Sequence, residues 1–395
     1  MPKNPNWRSA LSPERELVLL CASPNFDDAA SARVREILRG PLNWPDVAVT
    51  AHDHHVETFL HENLKRAGDG LVPAEWAANL HESARKAAGM SVLLSSDLLR
   101  ISEIFEKEGV PIVPYKGSVL GQLAYGGPSE RRFVDLDFFV PHKEIARARD
   151  LLASGGYEAK FEIPDRSASR SENVPGQYAF FRPATRAQIE LHTERTLRYF
   201  PVPLDFEKMS RRLIAVELCG RRVPTFSIED TLVMLCVHGS KHFWERLLWI
   251  LDVAQLVHTQ EVDWTLLKGI AEELESTRVI LLGLCLAQDF FGAPLPVQLR
   301  EGISRDRAIR ELAEKVGEQF AGISGPAVGV VPRALLRIRM RDGIAQGLRH
   351  TWRLALSPTE SDLQKVSLPL WLTPVYMLVR PWRLLRQYGS GLKRR

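Results

Sequence analysis

The chain has 395 residues, 45% of them hydrophobic and 25% charged, with a net charge of +4. This is ordinary for a globular protein and long enough for two apolar cores. Cys21, Cys219, Cys236 and Cys285 form no C-x-x-C pair and have no metal-ligand spacing. That excludes a cysteine metal site and reads as reduced, mostly buried thiols in a cytosolic protein. The opening "MPKNPNWRSALSPERE" carries no apolar signal region, and the most apolar run, "VSLPLWLTPVYMLV", is short and broken by two prolines. Neither secretion nor a membrane span is expected.

Residues 1–104 read as a helical region. In "SPERELVLLCA", Ser12 is placed to cap a helix, with Pro13 in its first turn and Glu14 and Glu16 near its positive end. "HHVETFLHENLKRAG" and "SARKAAGMSVLLSSDLLRISEIFEKEG" carry apolar residues at three- and four-residue intervals. The long helix predicted there ends at Gly109.

Between 105 and 205 the pattern changes to a small mixed α/β unit. "VPIVPYKG" is a short strand entering a turn at Lys116-Gly117, and "SVLGQLAYG" begins a helix directly after it. "RRFVDLDFFVP" is a second strand and "KEIARARDLLASGGY" an amphipathic helix closed by two glycines. "QYAFFRPATRAQIELHTER" then reads as a hairpin whose return strand carries Glu190 and, on the same face, His192, placed to pack or to hold a carboxylate rather than to act directly in catalysis.

A helical domain is expected over 206–330. Ser227, followed by Asp230, resembles a capping box at its main helix start. In "HGSKHFWERLLWILD", His238, Lys241 and Arg246 stand about one or two turns apart, with His242 beside Lys241. Facing a cleft, His238 and Lys241 would bind a triphosphate. The structural alternative pairs Asp252 with Arg246 and buries Trp244 and Trp249 between domains.

Residues 331–395 form a basic, amphipathic tail. Eleven Arg and two Lys against three acids give it a net charge of +10, leaving −6 for residues 1–330. Trp371, Tyr376 and Trp382 interleave with Arg380, Arg383 and Arg386 over 364–395. This suits peripheral contact with an anionic membrane, although the prolines favour packing against the protein. Nucleic acid is the weaker partner, because no recognised stacking module is present.

Asp135 and Asp137 pose the main question. In a strand they point to one face, where two adjacent carboxylates are costly without a positive partner. A third acid, Glu190, lies on the strand expected beside them. Three carboxylates suit hard Mg²⁺ (or Mn²⁺), two of which can clamp an in-line phosphoryl displacement. Gly117 lets a ligand approach the backbone at a helix start that favours phosphate, with Lys116 and Ser118 to contact it.

Lys116-Gly117-Ser118, a short helix, Arg131-x-x-x-Asp135-x-Asp137 and the "IELH" strand together resemble the DNA polymerase β-like nucleotidyltransferases. Within that superfamily the chain is similar to a bacterial group of uncharacterised nucleotidyltransferases, a likeness that continues through "LCVHGSKHFWERLLWILDVAQLV", "VDWTLLKGIA", "LGLCLAQDFFGAPLP" and "VRPWRLLRQYG". The resemblance covers about residues 15–390. It implies an α+β fold, a small mixed-sheet core flanked by helical regions, and a metal-dependent cytoplasmic enzyme that moves an NMP from an NTP to an acceptor hydroxyl. It also implies Asp135, Asp137 and Glu190 as catalytic metal ligands, and Lys116, Gly117, Ser118 and Arg131 as nucleotide contacts. In the family pattern a small Gly or Ser is expected where this chain has Val134. Kinase-like phosphoryl transfer to a peptide or small-molecule hydroxyl is the rival chemistry, and a non-catalytic nucleotide-binding module the rival class.

Overall fold

The structure is a computed structural model describing residues 5–68, 70–160, 177–194, 202, 204–325 and 330–356. The membrane contact expected of 364–395 lies outside them. Among the described residues no helix is long and apolar enough to cross a membrane.

Five helices open the chain: α1 (Pro13–Cys21), α2 (Asp28–Leu38), α3 (Trp44–Asp53), α4 (Glu57–Ala67) and the long α5 (Ala74–Lys107). Ser12 caps α1 as its sequence requires, accepting the Arg15 N–H at 3.3 Å. The α/β unit follows as β1 (Val113–Pro114), α6 (Gly117–Tyr125), β2 (Asp135–Phe139), α7 (Ile145–Ser154), β3 (Glu158–Ala159), β4 (Gln177–Phe181) and β5 (Gln188–His192). Its strands form one mixed sheet in the order β1-β2-β5-β4-β3, with β2 parallel to β5 and the other pairs antiparallel. The expected hairpin is the β4–β5 pair.

After α8 (Phe206–Ser210), strands form where only helix is expected. β6 (Ile214–Leu218) and β7 (Arg221–Thr225) make an antiparallel hairpin. Its two-residue turn, Cys219-Gly220, holds both residues in the left-handed region (φ +50° and +77°), matching the twist of the flanking strands. Leu218 and Val223 anchor it in the sheet's core, and Thr225 donates to the Pro114 carbonyl at 2.7 Å. The remaining helices are α9 (Ile228–Lys241), α10 (Leu247–Thr259), α11 (Trp264–Glu273), α12 (Thr277–Phe291), α13 (Val297–Arg305), α14 (Arg307–Phe320), α15 (Val330–Arg339) and α16 (Ile344–Leu356).

Two apolar cores hold these elements. One lies between α5, α7 and one face of the sheet. The larger joins the N-terminal helices to those after residue 226, so residues far apart in sequence share one interior. Trp7 shows how closely that interior is fitted. Its ring stacks on Phe290 at 4.4 Å and lies against Gly317 of α14, where an added Cβ would fall 2.1 Å from the ring. Gly317→Ala should therefore cost about 1–3 kcal/mol through overpacking. A urea denaturation midpoint unchanged from wild type would refute this reading of the contact.

Candidate active site

The parallel register of β2 and β5 places Asp137 opposite Glu190, Asp135 opposite Gln188 and Phe139 opposite His192. Side chains alternate between faces along each strand. Leu136, Phe138, Ile189 and Leu191 enter the core beneath α5 and α7. Asp135, Asp137, Glu190 and His192 are consequently carried together on the opposite face. The three acids singled out in the sequence line one cleft.

Asp137 is the most heavily engaged of them. The Lys116 ammonium donates to its Oδ1 at 3.2 Å, and His192 donates to the same oxygen through Nε2 at 2.7 Å. Burial opposes its ionisation, but Lys116 and the His192 bond outweigh burial and hold its carboxyl far below the usual range. Asp135 goes the other way: burial, and then the charge of Asp137, push it up to about 6. Burial, the largest influence on Glu190, raises it, yet the His192 bond and charge together with Lys116 outweigh burial and the net shift is downward. His192 Nε2 lies 3.5 Å from Glu190 Oε2, so one imidazole sits between two carboxylates. The sequence places His192 on the face of Glu190, to pack or to hold a carboxylate; the structure sets it beside two carboxylates rather than one.

Asp137, Glu190 and His192 each offer one ligand atom, all within 4.8 Å of one another. Two carboxylates there, with Asp135 next along the strand, match the oxygen preference of Mg²⁺ or Mn²⁺. An imidazole that fixes a carboxylate is a usual companion of such a set. The residues present fit the expected divalent ion.

At the turn before α6, Gly117 adopts φ +55°, and a Cβ there would meet the Phe133 ring at 3.2 Å. Both facts favour glycine. Lys116 bridges inward, donating to His238 Nδ1 at 3.3 Å as well as to Asp137. His238 must therefore be neutral, and burial, followed by the charge of Lys116, pushes it well below its ordinary value. Ser118 is fully buried, and its hydroxyl is bonded to that of Ser95 at 2.8 Å. Ser118 does not line the cleft, so of the expected Lys116, Gly117 and Ser118 contacts only Lys116 and Gly117 face it.

A cleft of about 360 Å³ opens over the acids, walled on the far side by α9 and α10. Lys241, His242, Arg246 and Trp249 line that wall, and His55 closes it from the N-terminal helices. Burial, then neighbouring cations, depress Lys241, hold His242 near 4 and hold His55 near 3. His55 was not foreseen: its link to the site is tertiary, although its left-handed backbone (φ +59°) marks it structurally. Val134 stands at the mouth, 46% exposed.

Arg131 lines the cleft, but its fork is already occupied. Nε and Nη2 donate to the two oxygens of Asp252 at 2.6 and 2.7 Å, and Tyr125 donates its hydroxyl at 2.9 Å. Asp252 is wholly buried. The expected Asp252–Arg246 pair is thus corrected: Asp252 belongs to Arg131, and Arg246 stacks on Trp249 instead, 5.2 Å from the ring centroid. Trp244 is buried as expected, whereas Trp249 is only half-buried beside the cleft.

The turn between α9 and α10 carries unusual backbone. Trp244 N–H to Gly239 C=O (2.8 Å) and Phe243 N–H to Ser240 C=O (3.2 Å) close a Schellman motif. Phe243 occupies the left-handed position that glycine generally fills, and Trp244 follows in the same region, at φ +56° and +55°. Two bulky residues there cost about 1–2 kcal/mol each. Burial of the Trp244 ring against Gly239 and Gly283, with no room for a Cβ at either, offsets that cost.

A small mixed sheet with acids gathered on one face, opened by a glycine turn at a helix start, defines a nucleotidyltransferase-type core. The family model described as "uncharacterised nucleotidyltransferase" matches residues 40–292, and the chain belongs to that family. No curated protein matches it. Among solved structures, it is similar to the lincomycin-bound lincosamide antibiotic adenylyltransferase LnuA. That likeness has 15% identity and a TM-score of 0.29, covering 42% of this chain and 97% of that one. It is also similar to an antigenic nucleotidyltransferase-like protein from Paracoccidioides brasiliensis, with 14% identity and a TM-score of 0.32, covering 54% of this chain and 96% of that one.

Removing one partner of a buried bidentate pair leaves an uncompensated charge. Asp252→Ala should lower stability by about 3–5 kcal/mol, measured by denaturant unfolding. A loss below about 1 kcal/mol, the value of an exposed pair, would show that Arg131 finds water or another acid.

Proposed function

We propose that this protein transfers a nucleoside monophosphate from an NTP to an acceptor hydroxyl in the cytoplasm, using Mg²⁺ or Mn²⁺ held by Asp135, Asp137 and Glu190. The observation that carries this reading is the β2–β5 register, which sets Asp137 beside Glu190 across a cleft from a cationic wall. The bound ions would supply charge neutralisation at the phosphates and at the reacting oxygens.

The chain's own groups supply the remainder. Glu190, the less buried of the facing pair at 29% side-chain exposure against 6%, accepts the acceptor's hydroxyl proton on a carboxylate oxygen. The acceptor oxygen bonds to the α-phosphorus, the bond from that phosphorus to the bridging oxygen breaks, and pyrophosphate leaves with the electron pair. His192 keeps the two acids aimed, donating Nε2–H to Asp137 while lying 3.5 Å from Glu190. The backbone at Gly117, Lys116 and Lys241 hold phosphate oxygens. His238, whose Nδ1 is taken by Lys116, has only Nε2–H left to donate. Arg131 contributes by fixing Asp252 and hence α10.

Asp137→Ala should reduce transfer by about a thousandfold or more while the protein stays folded. Incubation with labelled NTP and a panel of hydroxyl acceptors, with circular dichroism as the folding check, tests it. A variant that retains full turnover would end this assignment. Mass analysis of the labelled product separates an NMP-sized adduct from the phosphate-sized adduct of a kinase. Metal-independent NTP binding with no turnover in the wild type would indicate a binding module instead.

A further inference from the structure

Five cations line the cleft: Lys116, Arg131, Arg132, Lys241 and Arg246. Three are committed to buried carboxylates, Lys116 to Asp137, Arg131 to Asp252 and Arg132 to Glu57. Arg246 differs. Two acids near it in sequence are both engaged elsewhere: Asp252 by both arms of Arg131, and Glu245 by Arg333 at 3.9 Å. Among the described residues no carboxylate pairs with its guanidinium.

We propose that Arg246 is the residue that grips the triphosphate chain of the bound nucleotide, and that the α9–α10 turn is its rigid mount. This deepens the nucleotidyltransferase reading and rests on it for the ligand's identity. Several features favour the assignment. An arginine inside a polar cleft with no acid to neutralise it is matched by an anion from outside the chain. Its stack on Trp249 fixes the guanidinium plane while leaving the N–H edges for phosphate oxygens. His238 and His242 pack on the same indole, at 5.1 Å each, and keep that platform from moving. The mount itself is tightly determined. The Schellman closure, two successive left-handed residues and the Trp244 ring seated on Gly239 and Gly283 fix where α10 begins, and Arg246 is its N-cap. A surface arginine with no ligand would need no such support.

The test is titration calorimetry of the full chain with Mg-ATP, with metal-free tripolyphosphate and with inorganic phosphate. Arg246→Ala should weaken both Mg-ATP and tripolyphosphate by about tenfold or more, and Arg246→Lys should weaken them less. Inorganic phosphate should bind much more weakly than tripolyphosphate in the wild type. Melting temperatures of the variants should stay at the wild-type value. The Lys variant keeps the experiment decisive if the Ala variant does not fold. Wild-type affinity in Arg246→Ala, or no tripolyphosphate binding by the wild type, overturns the proposal. Loss confined to inorganic phosphate, with Mg-ATP binding unchanged, also overturns it, by assigning Arg246 to a phosphate on the acceptor. If Arg246→Ala loses polyphosphate while Asp137→Ala keeps full turnover, the reading of the acids falls and the phosphate clamp stands.

Discussion

The parallel pairing of β2 with β5 is the constraint on which everything else in the site rests. Strand side chains alternate with a period of two, so a slip of one residue would carry every side chain to the wrong face. Leu136, Phe138, Ile189 and Leu191 would then meet the cleft, and the acids would enter a dry core beneath α5 and α7. The apolar residues thus hold the register, and the acids use it. The same pairing explains why like charges are tolerated so close together. They occupy the one face where Lys116 and His192 can reach them and where the cleft admits further cations.

A second constraint sets the opposite wall. Arg131 leaves the sheet side and Asp252 comes from α10, 121 residues later, yet their bidentate contact is fully internal. Buried pairs of this kind contribute little net stability against an apolar alternative, but they penalise any other arrangement strongly. Here the pair dictates how α10 lies against the catalytic sheet. It also decides which cations remain for other work, since Asp252 cannot serve both Arg131 and Arg246.

How much of this was legible in the sequence follows from the range of each interaction. The Asp-x-Asp strand, the Lys-Gly-Ser turn, the Ser12 and Ser227 caps and the β4–β5 hairpin are local patterns, and each forms where its residues indicate. The β6–β7 hairpin was also written locally, in Cys219-Gly220 between alternating residues, and its turn is a weaker version of the usual Asn-Gly signal. The partner of Asp252 was not legible. Arg246 lies closer in sequence and at suitable helical spacing, and only the tertiary fold brings Arg131 to it. His55 is the same case, since an N-terminal helix must fold back before its imidazole meets the cleft. The left-handed Phe243 and Trp244 run against local preference altogether, because the signal that permits them is Gly239 in the preceding turn and the distant Gly283, which together leave space for the indole.

Two of these departures, Phe243 and Trp244, adjoin at the α9–α10 turn, and that pairing needs a cause. A helix cap with glycine would close at lower cost, and an acid nearer Arg246 would neutralise it. The chain has neither. It holds strained aromatic backbone beneath an uncompensated arginine, and it crowds three carboxylates on the facing sheet beyond what Lys116 and His192 can balance. A ligand that completes such a cleft must carry cation toward one wall and polyanion toward the other. A divalent metal bound to a nucleoside triphosphate has that polarity, whereas a metal alone or a phosphate alone would satisfy one wall and leave the other unbalanced. The charge separation across the cleft is therefore more informative than either cluster by itself.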